Sequence, residues 1–299
     1  MVFWIKQENG KTIRLEDNSW SHSIYVASDC NSYLKSIVDS IGRNDGNDSI
    51  ASLVKDYEFV SRYEKITDGT KSNVLKLKLT DSTKALTLAR KIEAMDDANH
   101  GFGKYRLYNV DLLPAQSYFY EHDVFPLAFC EGHSDSSKLR WLNKDSIWSV
   151  NYKIPDFKTI HLTVSLSKEG KIPRYTDEID SITIKQHTEG NNNIQTSSIE
   201  CNDSPEYDIV RRLEAEVSNI DPDFIFTEDG DSFTFPYLIY RAEQNGAEDK
   251  LSLSREPDKP LRKPAKEGMS YFSYGRVYFR PTTIKLLGRI HIDISNTFV

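Results

Sequence analysis

Cysteine is scarce. Cys30, Cys130 and Cys201 lie far apart, with no CxxC pair. This spacing excludes a disulfide-framed secreted scaffold and a cysteine zinc site, and it fits free thiols in a reducing compartment. Long apolar runs are missing too: nothing approaches the roughly 18–20 residues of a membrane helix, so no membrane partner is expected. The opening residues MVFWIKQENGK have neither the apolar stretch nor the cleavage site of a secretory signal, and an intracellular protein is expected. HExxH, GxGxxG, a phosphate loop and GxSxG are all absent, which leaves zinc peptidase, nucleotide-hydrolysing and serine-nucleophile chemistry without support. Positive charge is also in deficit, with 45 acidic against 38 basic residues and a net charge of −7. Binding nucleic acid by bulk attraction alone is therefore disfavoured.

What is present suffices for two domains: 299 residues, 38% hydrophobic and 28% charged. Residues 2–6 and 12–15 flank Glu8-Asn9-Gly10 as a hairpin, and 22–27 continues the strand pattern. Asp29 is the expected cap of a helix carrying Leu34, Ile37, Val38 and Ile41 on one face. Strands are expected at 57–66 and 74–79, followed by a helix over 83–95 with Ala85, Leu88, Ala89 and Ile92 as its buried stripe. Residues 132–146 read as a polar boundary passage. Beyond it, strands are expected at 159–166, 181–185, 223–227, 277–279 and 290–294. Helices should run from Ser204-Pro205 to about 219, and over 235–244. Strands paired with helices suggest sheets covered on one face.

Basic charge is concentrated in 259–289, where Lys259, Arg262, Lys263, Lys266, Arg276, Arg280, Lys285 and Arg289 are opposed only by Glu267. A solvated loop and surface strand, or a phosphate-contacting strip, would both fit. Tyr271, Phe272, Tyr274, Tyr278 and Phe279 interleave with Arg276 and Arg280. That pattern suits either single-strand stacking or, in an alternating strand, packing of half the rings into a core. His161 and His291 fall in strand patterns and read as structural side chains. Asp177, Glu178 and Asp180 read as a solvated turn.

Four ordered segments resemble archaeal family B DNA polymerases. LYNVDLLPAQSYFYEHDVFPLAF (107–129) resembles the segment closing their N-terminal domain. IPDFKTIHLTVSLS (154–167) resembles the opening exonuclease strand. DPDFIFTEDGDSFTFPYLIYRAE (221–243) resembles the second exonuclease motif, usually DPDxIxTYNGDNFDxPYL. SYGRVYFRPTTIKLLGRIHIDISNTF (273–298) resembles the strand pair ending in GRxHxD. The resemblance implies an α+β / α/β protein: a ferredoxin-like N-terminal domain over 1–135, then an RNase H-like exonuclease-type domain over 140–299. The second is expected to be incomplete at its C-terminus, with the third exonuclease motif and the polymerase aspartates beyond Val299. A truncated chain is the favoured reading over a natural split subunit.

The departures bear on chemistry. Proofreading nucleases of the family hold two divalent metals on carboxylates. Where the first motif carries Asp-Ile-Glu, this sequence has Thr163-Val164-Ser165. In the second motif the usual asparagine is Asp229 and the metal-binding aspartate is Thr234. Hydroxyls cannot replace charged oxygen donors for Mg2+ or Mn2+. No catalytic residue is therefore assigned, and Asp229 with Asp231 is at most a weak metal site. No cofactor is expected unless residual nuclease or parent polymerase activity calls for Mg2+ or Mn2+. Archaeal relatives also read template uracil in a pocket partly within the segment matching 111–120. Many carry an arginine just before a tyrosine there, and here the pair is Ser117-Tyr118. A packing helix, or a modified uracil or template pocket, would fit.

The DNA-contact candidates are Arg276, Arg280, Lys285, Tyr274 and Tyr118. The expected partners are template or single-stranded DNA and the palm, fingers and thumb of a polymerase, in cis or trans, in a cytoplasmic, nucleoid-associated setting. Three functions stand: a nuclease-dead, DNA-guiding part of a replicative or repair polymerase; an active metal-dependent 3′–5′ exonuclease using Asp229 and Asp231; or a protein-interaction scaffold without DNA affinity.

Overall fold

A computed structural model describes residues 1–43, 49–96, 103–135, 138–167, 170, 172–187, 194–201, 204–265 and 268–297. The chain divides into two compact units, residues 1–5 with 14–154, and residues 6–13 with 155–299. No helix among the described residues is long and apolar enough to cross a membrane.

The chain opens with the expected hairpin, β1 (Val2–Lys6) and β2 (Thr12–Glu16), turning at Gly10 with φ 79°. The first unit then runs β3 (Ser23–Ala27), α1 (Asn31–Gly42), the single turn α2 (Ile50–Leu53), β4 (Val54–Arg62), β5 (Ser72–Leu79), α3 (Ala85–Ala94) and β6 (Arg106–Tyr108). Its sheet order is β4-β5-β3-β6, with antiparallel neighbours throughout. Strand–helix–strand, repeated once, with the two central strands contributed by different halves, is the ferredoxin-like arrangement. Ile24, Val26, Leu75 and Leu77 of the sheet pack against Leu34 and Ile37 of α1 and Leu88 and Ile92 of α3. Asp29 does not cap α1. The cap position is Cys30, without a side-chain bond, and Asp29 instead accepts from Arg106 Nη1 at 2.7 Å.

Two further elements close this unit: α4 (Pro114–His122), and a hairpin of β7 (Cys130–Asp135) with β8 (Lys138–Asn143). The passage 132–146 is thus partly a strand pair. Its sequence hides this because only Leu139 and Trp141 of β8 turn inward, an alternation too short to stand out from the polar residues around it.

The second unit is built on β9 (Thr159–Ser167), β10 (Glu178–His187), β11 (Ile194–Glu200), α5 (Glu206–Ile220), β12 (Phe224–Thr227), α6 (Phe235–Gln244), the hairpin β13 (Gly268–Ser273) and β14 (Arg276–Pro281), β15 (Ile290–Asp293) and the short α7 (Ile294–Thr297). Its main sheet has the order β11-β10-β9-β12-β15; the first three strands run antiparallel, while β9, β12 and β15 run parallel. That is an RNase H-like sheet. Its core places Ile160, Leu162, Ile182 and Ile225 against Val210, Leu213 and Val217 of α5 and Leu238 of α6. α5 begins after Pro205, with Glu206 and Asp208 in its first turn, where negative charge favours the helix dipole. Glu206 also accepts from the Ile179 amide at 2.6 Å and pairs with Arg241 at the same distance.

The expected strand at 277–279 lies in the β13–β14 hairpin, which pairs with nothing else among the described residues.

Candidate exonuclease-type site and nucleic-acid interface

The end of β12 leads into a tight loop. Asp229 takes a left-handed conformation (φ 54°), and residues Gly230–Thr234 then form a single π-helical turn before α6. Only glycine fits at 230: a Cβ there would collide with Thr227 Oγ1 and His291 Nε2. Thr227 Oγ1 and His291 Nε2 are hydrogen-bonded at 2.8 Å, and the ring of Phe235 meets His291 edge-on at 4.6 Å. His291 is therefore a buried structural side chain.

Asp231 is also buried, and its amide and one carboxylate oxygen are bonded within the fold. Its amide donates to Asp293 Oδ2 at 2.9 Å, and its Oδ1 accepts from the Ile284 amide at 2.8 Å. His291 Nδ1 lies 3.3 Å from the same oxygen without forming a hydrogen bond to it. Asp293 Oδ1 in turn accepts from the Ser295 amide. Thr234 is buried and donates its hydroxyl to the Glu228 carbonyl at 3.2 Å. Asp229 is exposed, and its amide donates to Ser295 Oγ at 3.1 Å.

Thr163 and Ser165 alternate with partly buried Val164 on β9, and both side chains are exposed on one face of the sheet. His161 shares that face. β12 pairs with β9 up to Phe226 opposite His161, so Thr163 lies just past the paired segment, level with the loop that follows β12. Among the described residues, no group of three or more His, Cys, Asp or Glu is placed to hold a metal ion.

Beside this loop is an open cleft of about 650 Å³, lined among others by Asp229, Ser232, Tyr271, Tyr278, Arg280 and Asn296. Its aromatic wall is the β13–β14 hairpin. Tyr274-Gly275 form the two-residue turn, both with positive φ, and Tyr274 at the tip is 99% exposed. Tyr271 and Tyr278 face each other across the strands with centroids 5.5 Å apart. Both strands are exposed over nearly their whole length, including Arg276, Phe279 and Arg280. The expectation that half of these rings enter a core fails, because no layer among the described residues covers the hairpin. Gly268 is required at its base, where a Cβ would strike the Arg280 carbonyl oxygen.

The other basic residues of the strip separate. Lys285 is exposed, as is Lys263, which sits over the rings of Tyr175 and Tyr240. Lys259 pairs with Glu256. Arg289 is buried: its Nη2 meets Asp221 at 3.2 Å, and desolvation, then the neighbouring Arg255 charge, pulls its pKa down. It is a framework residue. Lys266 and Glu267 lie outside the described residues. The candidate metal site at Asp229 and Asp231 joins an exposed carboxylate to one already bonded within the fold.

In the first unit Tyr118 is fully buried. It packs against Phe3, Trp20 and the stacked His122; its hydroxyl donates to Asp17 at 3.0 Å and accepts from Trp141 Nε1 at 2.9 Å. Burial, and to a lesser extent the Asp17 carboxylate, raises its pKa. A ring so enclosed cannot stack on a base, and Tyr118 is withdrawn as a DNA contact. Its neighbour Ser117 lines a cleft of about 540 Å³ with Trp20, Tyr25, Arg62, Lys76 and Tyr120.

Residues 140–299 match the family model described as DNA polymerase family B, exonuclease domain. The chain belongs to the family B DNA polymerases. Among curated family B relatives, it is 26% identical over 245 residues to a DNA polymerase of Thermococcus hydrothermalis, covering 77% of this chain and 13% of that protein. It is 37% identical over 76 residues to DNA polymerase 1 of Pyrococcus abyssi, covering 25% of this chain and 10% of that one. The chain thus spans a small fraction of the relatives' length. The structure of the family B DNA polymerase from Pyrobaculum calidifontis superposes with a TM-score of 0.65 at 17% identity, over 98% of this chain and 34% of that one. This family B chain therefore carries the exonuclease-domain portion, and its fold is that of an archaeal family B polymerase over nearly the whole described length.

Proposed function

We propose that this chain is a nuclease-inactive, DNA-guiding portion of a family B polymerase acting in replication or repair. The observation that carries the reading is the donor set at the exonuclease-type site. Thr163, Ser165 and Thr234 offer neutral hydroxyls, and the Thr234 hydroxyl is already bonded to Glu228. Of the acids near the loop, Asp231 holds the Ile284 amide and Asp293 the amides of Asp231 and Ser295, while Glu228 and Asp229 are exposed. A two-metal centre needs several charged, convergent oxygens, so the residues present do not fit Mg2+ or Mn2+, and no hydrolytic step is derived through them.

The exposed aromatic and cationic hairpin supports retained DNA contact. Tyr274 and Phe279 offer stacking faces, while Arg276, Arg280 and Lys285 offer phosphate partners, a combination suited to a single strand. On this reading the partners are template or single-stranded DNA and the palm, fingers and thumb of a polymerase, in cis or trans. The net charge of −7 makes such binding local and strongly salt-sensitive. Fluorescence anisotropy of single-stranded and 3′-recessed DNA, at low and moderate salt, tests it. Binding that falls with salt and is weakened in Arg276→Gln/Arg280→Gln is expected. No binding at low salt overturns the DNA-guiding role and leaves a scaffold.

A further inference from the structure

Strand β4 is the edge of the first unit's sheet, paired with β5 on one side and with no other strand among the described residues. It is nine residues long, and 55–59 are exposed without interruption. Tyr57 and Phe59 stand opposite Leu77 and Leu75, which are fully buried. Opposed residues of an antiparallel pair share a face, so the apolar row of the core face continues to this edge and ends there uncovered. Tyr57 and Phe59 remain 40% and 44% exposed.

Two of the outward backbone groups are taken up by the strand's own side chains. The Tyr57 amide donates to Asp56 Oδ1 at 2.9 Å, and the Ser61 carbonyl accepts from Arg62 Nη1 at 3.0 Å. Residues 57 and 61 therefore turn their peptide groups away from β5, and by alternation so does Phe59 between them. An edge of this kind is a template for another strand unless its charges repel the newcomer.

Here the charges select a partner: the strand itself. With two copies antiparallel and Phe59 opposite Phe59, Asp56 faces Arg62 twice, Tyr57 faces Ser61, Glu58 faces Val60 and Lys55 faces Tyr63. No like charges meet. The adjacent registers that keep outward-facing residues opposed do worse: one sets Glu58 against Glu58, the other sets Asp56 against Glu64 and Lys55 against Lys65. We propose that a second copy of this chain docks on this edge, with β4 pairing with β4 across a two-fold axis at Phe59. The interface is isologous and closes at a dimer. Arg62 and Asp56 exchange their backbone contacts for each other, Asp56 keeping Lys78 of its own copy on its second oxygen at 2.9 Å, and the aromatic rows of the two copies join.

Sedimentation equilibrium of the 299-residue chain tests this, with Asp56→Arg and Arg62→Asp, both surface changes. The wild type should dimerise as concentration rises. Each variant alone opposes like charges twice and should dissociate roughly tenfold more readily. An equimolar mixture of the two restores both acid–guanidinium pairs and should recover dimer. In addition, Phe59→Cys should form a disulfide-linked dimer under mild oxidation that the wild type, with its exposed Cys30, does not form. A wild type that stays monomeric at every concentration overturns the proposal. So does a mixture that does not recover dimer, or a Phe59→Cys chain that cross-links no more than wild type.

Discussion

Asp231→Ala tests whether the one acid retained in the second-motif loop serves the fold or a metal. Its Oδ1 accepts the Ile284 amide at 2.8 Å in a buried setting and faces His291 Nδ1 at 3.3 Å. Truncation leaves that N–H unpaired, at a cost of about 1–3 kcal/mol. In a unit of this size that lowers the melting temperature by roughly 2–12 °C. Asp229→Asn removes the exposed charge while keeping a residue that tolerates the left-handed backbone there, and should change stability by less than about 0.5 kcal/mol. Differential scanning calorimetry of the two variants beside wild type gives the comparison. If Asp231→Ala melts with wild type while a metal-dependent property is lost, Asp231 is a ligand and the structural account fails.

Other consequences follow from the same contacts. Glu64 is held at about 2, below its ordinary 4.5, chiefly by the Arg106 guanidinium. Because the folded value is depressed, its contribution is full above pH 4.5 and is lost as pH falls from 4.5 towards 2; Glu64→Gln should flatten the acid denaturation curve in that window, as read by circular dichroism. Gly230→Ala forces a Cβ into Thr227 and His291 and should destabilise by about 1–3 kcal/mol or more in urea titration. Arg276→Gln and Arg280→Gln should each reduce the slope of log affinity against log salt by about 0.7 for single-stranded DNA. Tyr274→Ala should weaken binding by about 1–3 kcal/mol, measured by anisotropy.

The sheets and their covering helices were legible because burial imposes a period. Leu75, Leu77 and Leu79 alternate with Lys76 and Lys78, and Val210, Leu213 and Val217 recur at helical spacing, and both patterns appear in the fold. The isolation of β13–β14 was not legible, since strands exposed on both faces carry no such period, and β8 turns only Leu139 and Trp141 inward, too short a run to announce a strand. Tyr118 shows the same limit for function. An aromatic residue in a motif-like segment reads alike whether it stacks on a base or fills a core, and only its enclosure by Phe3, Trp20 and His122 distinguishes the two. The partners of Asp231 come from residues 284, 291 and 293, distant in sequence, and nothing local announces them. The self-complementary edge of β4 was readable in principle from Asp56, Phe59 and Arg62, but only sheet order reveals that this strand is the edge.

The loss of nuclease chemistry with retained DNA contact is tested most directly by incubating the chain with 5′-labelled single-stranded DNA and Mn2+ at low salt. Products are then resolved at single-nucleotide length over time, with binding followed in parallel. The account predicts bound DNA whose length does not change. A metal-dependent ladder of 3′-shortened products, abolished in Asp229→Ala, would contradict it.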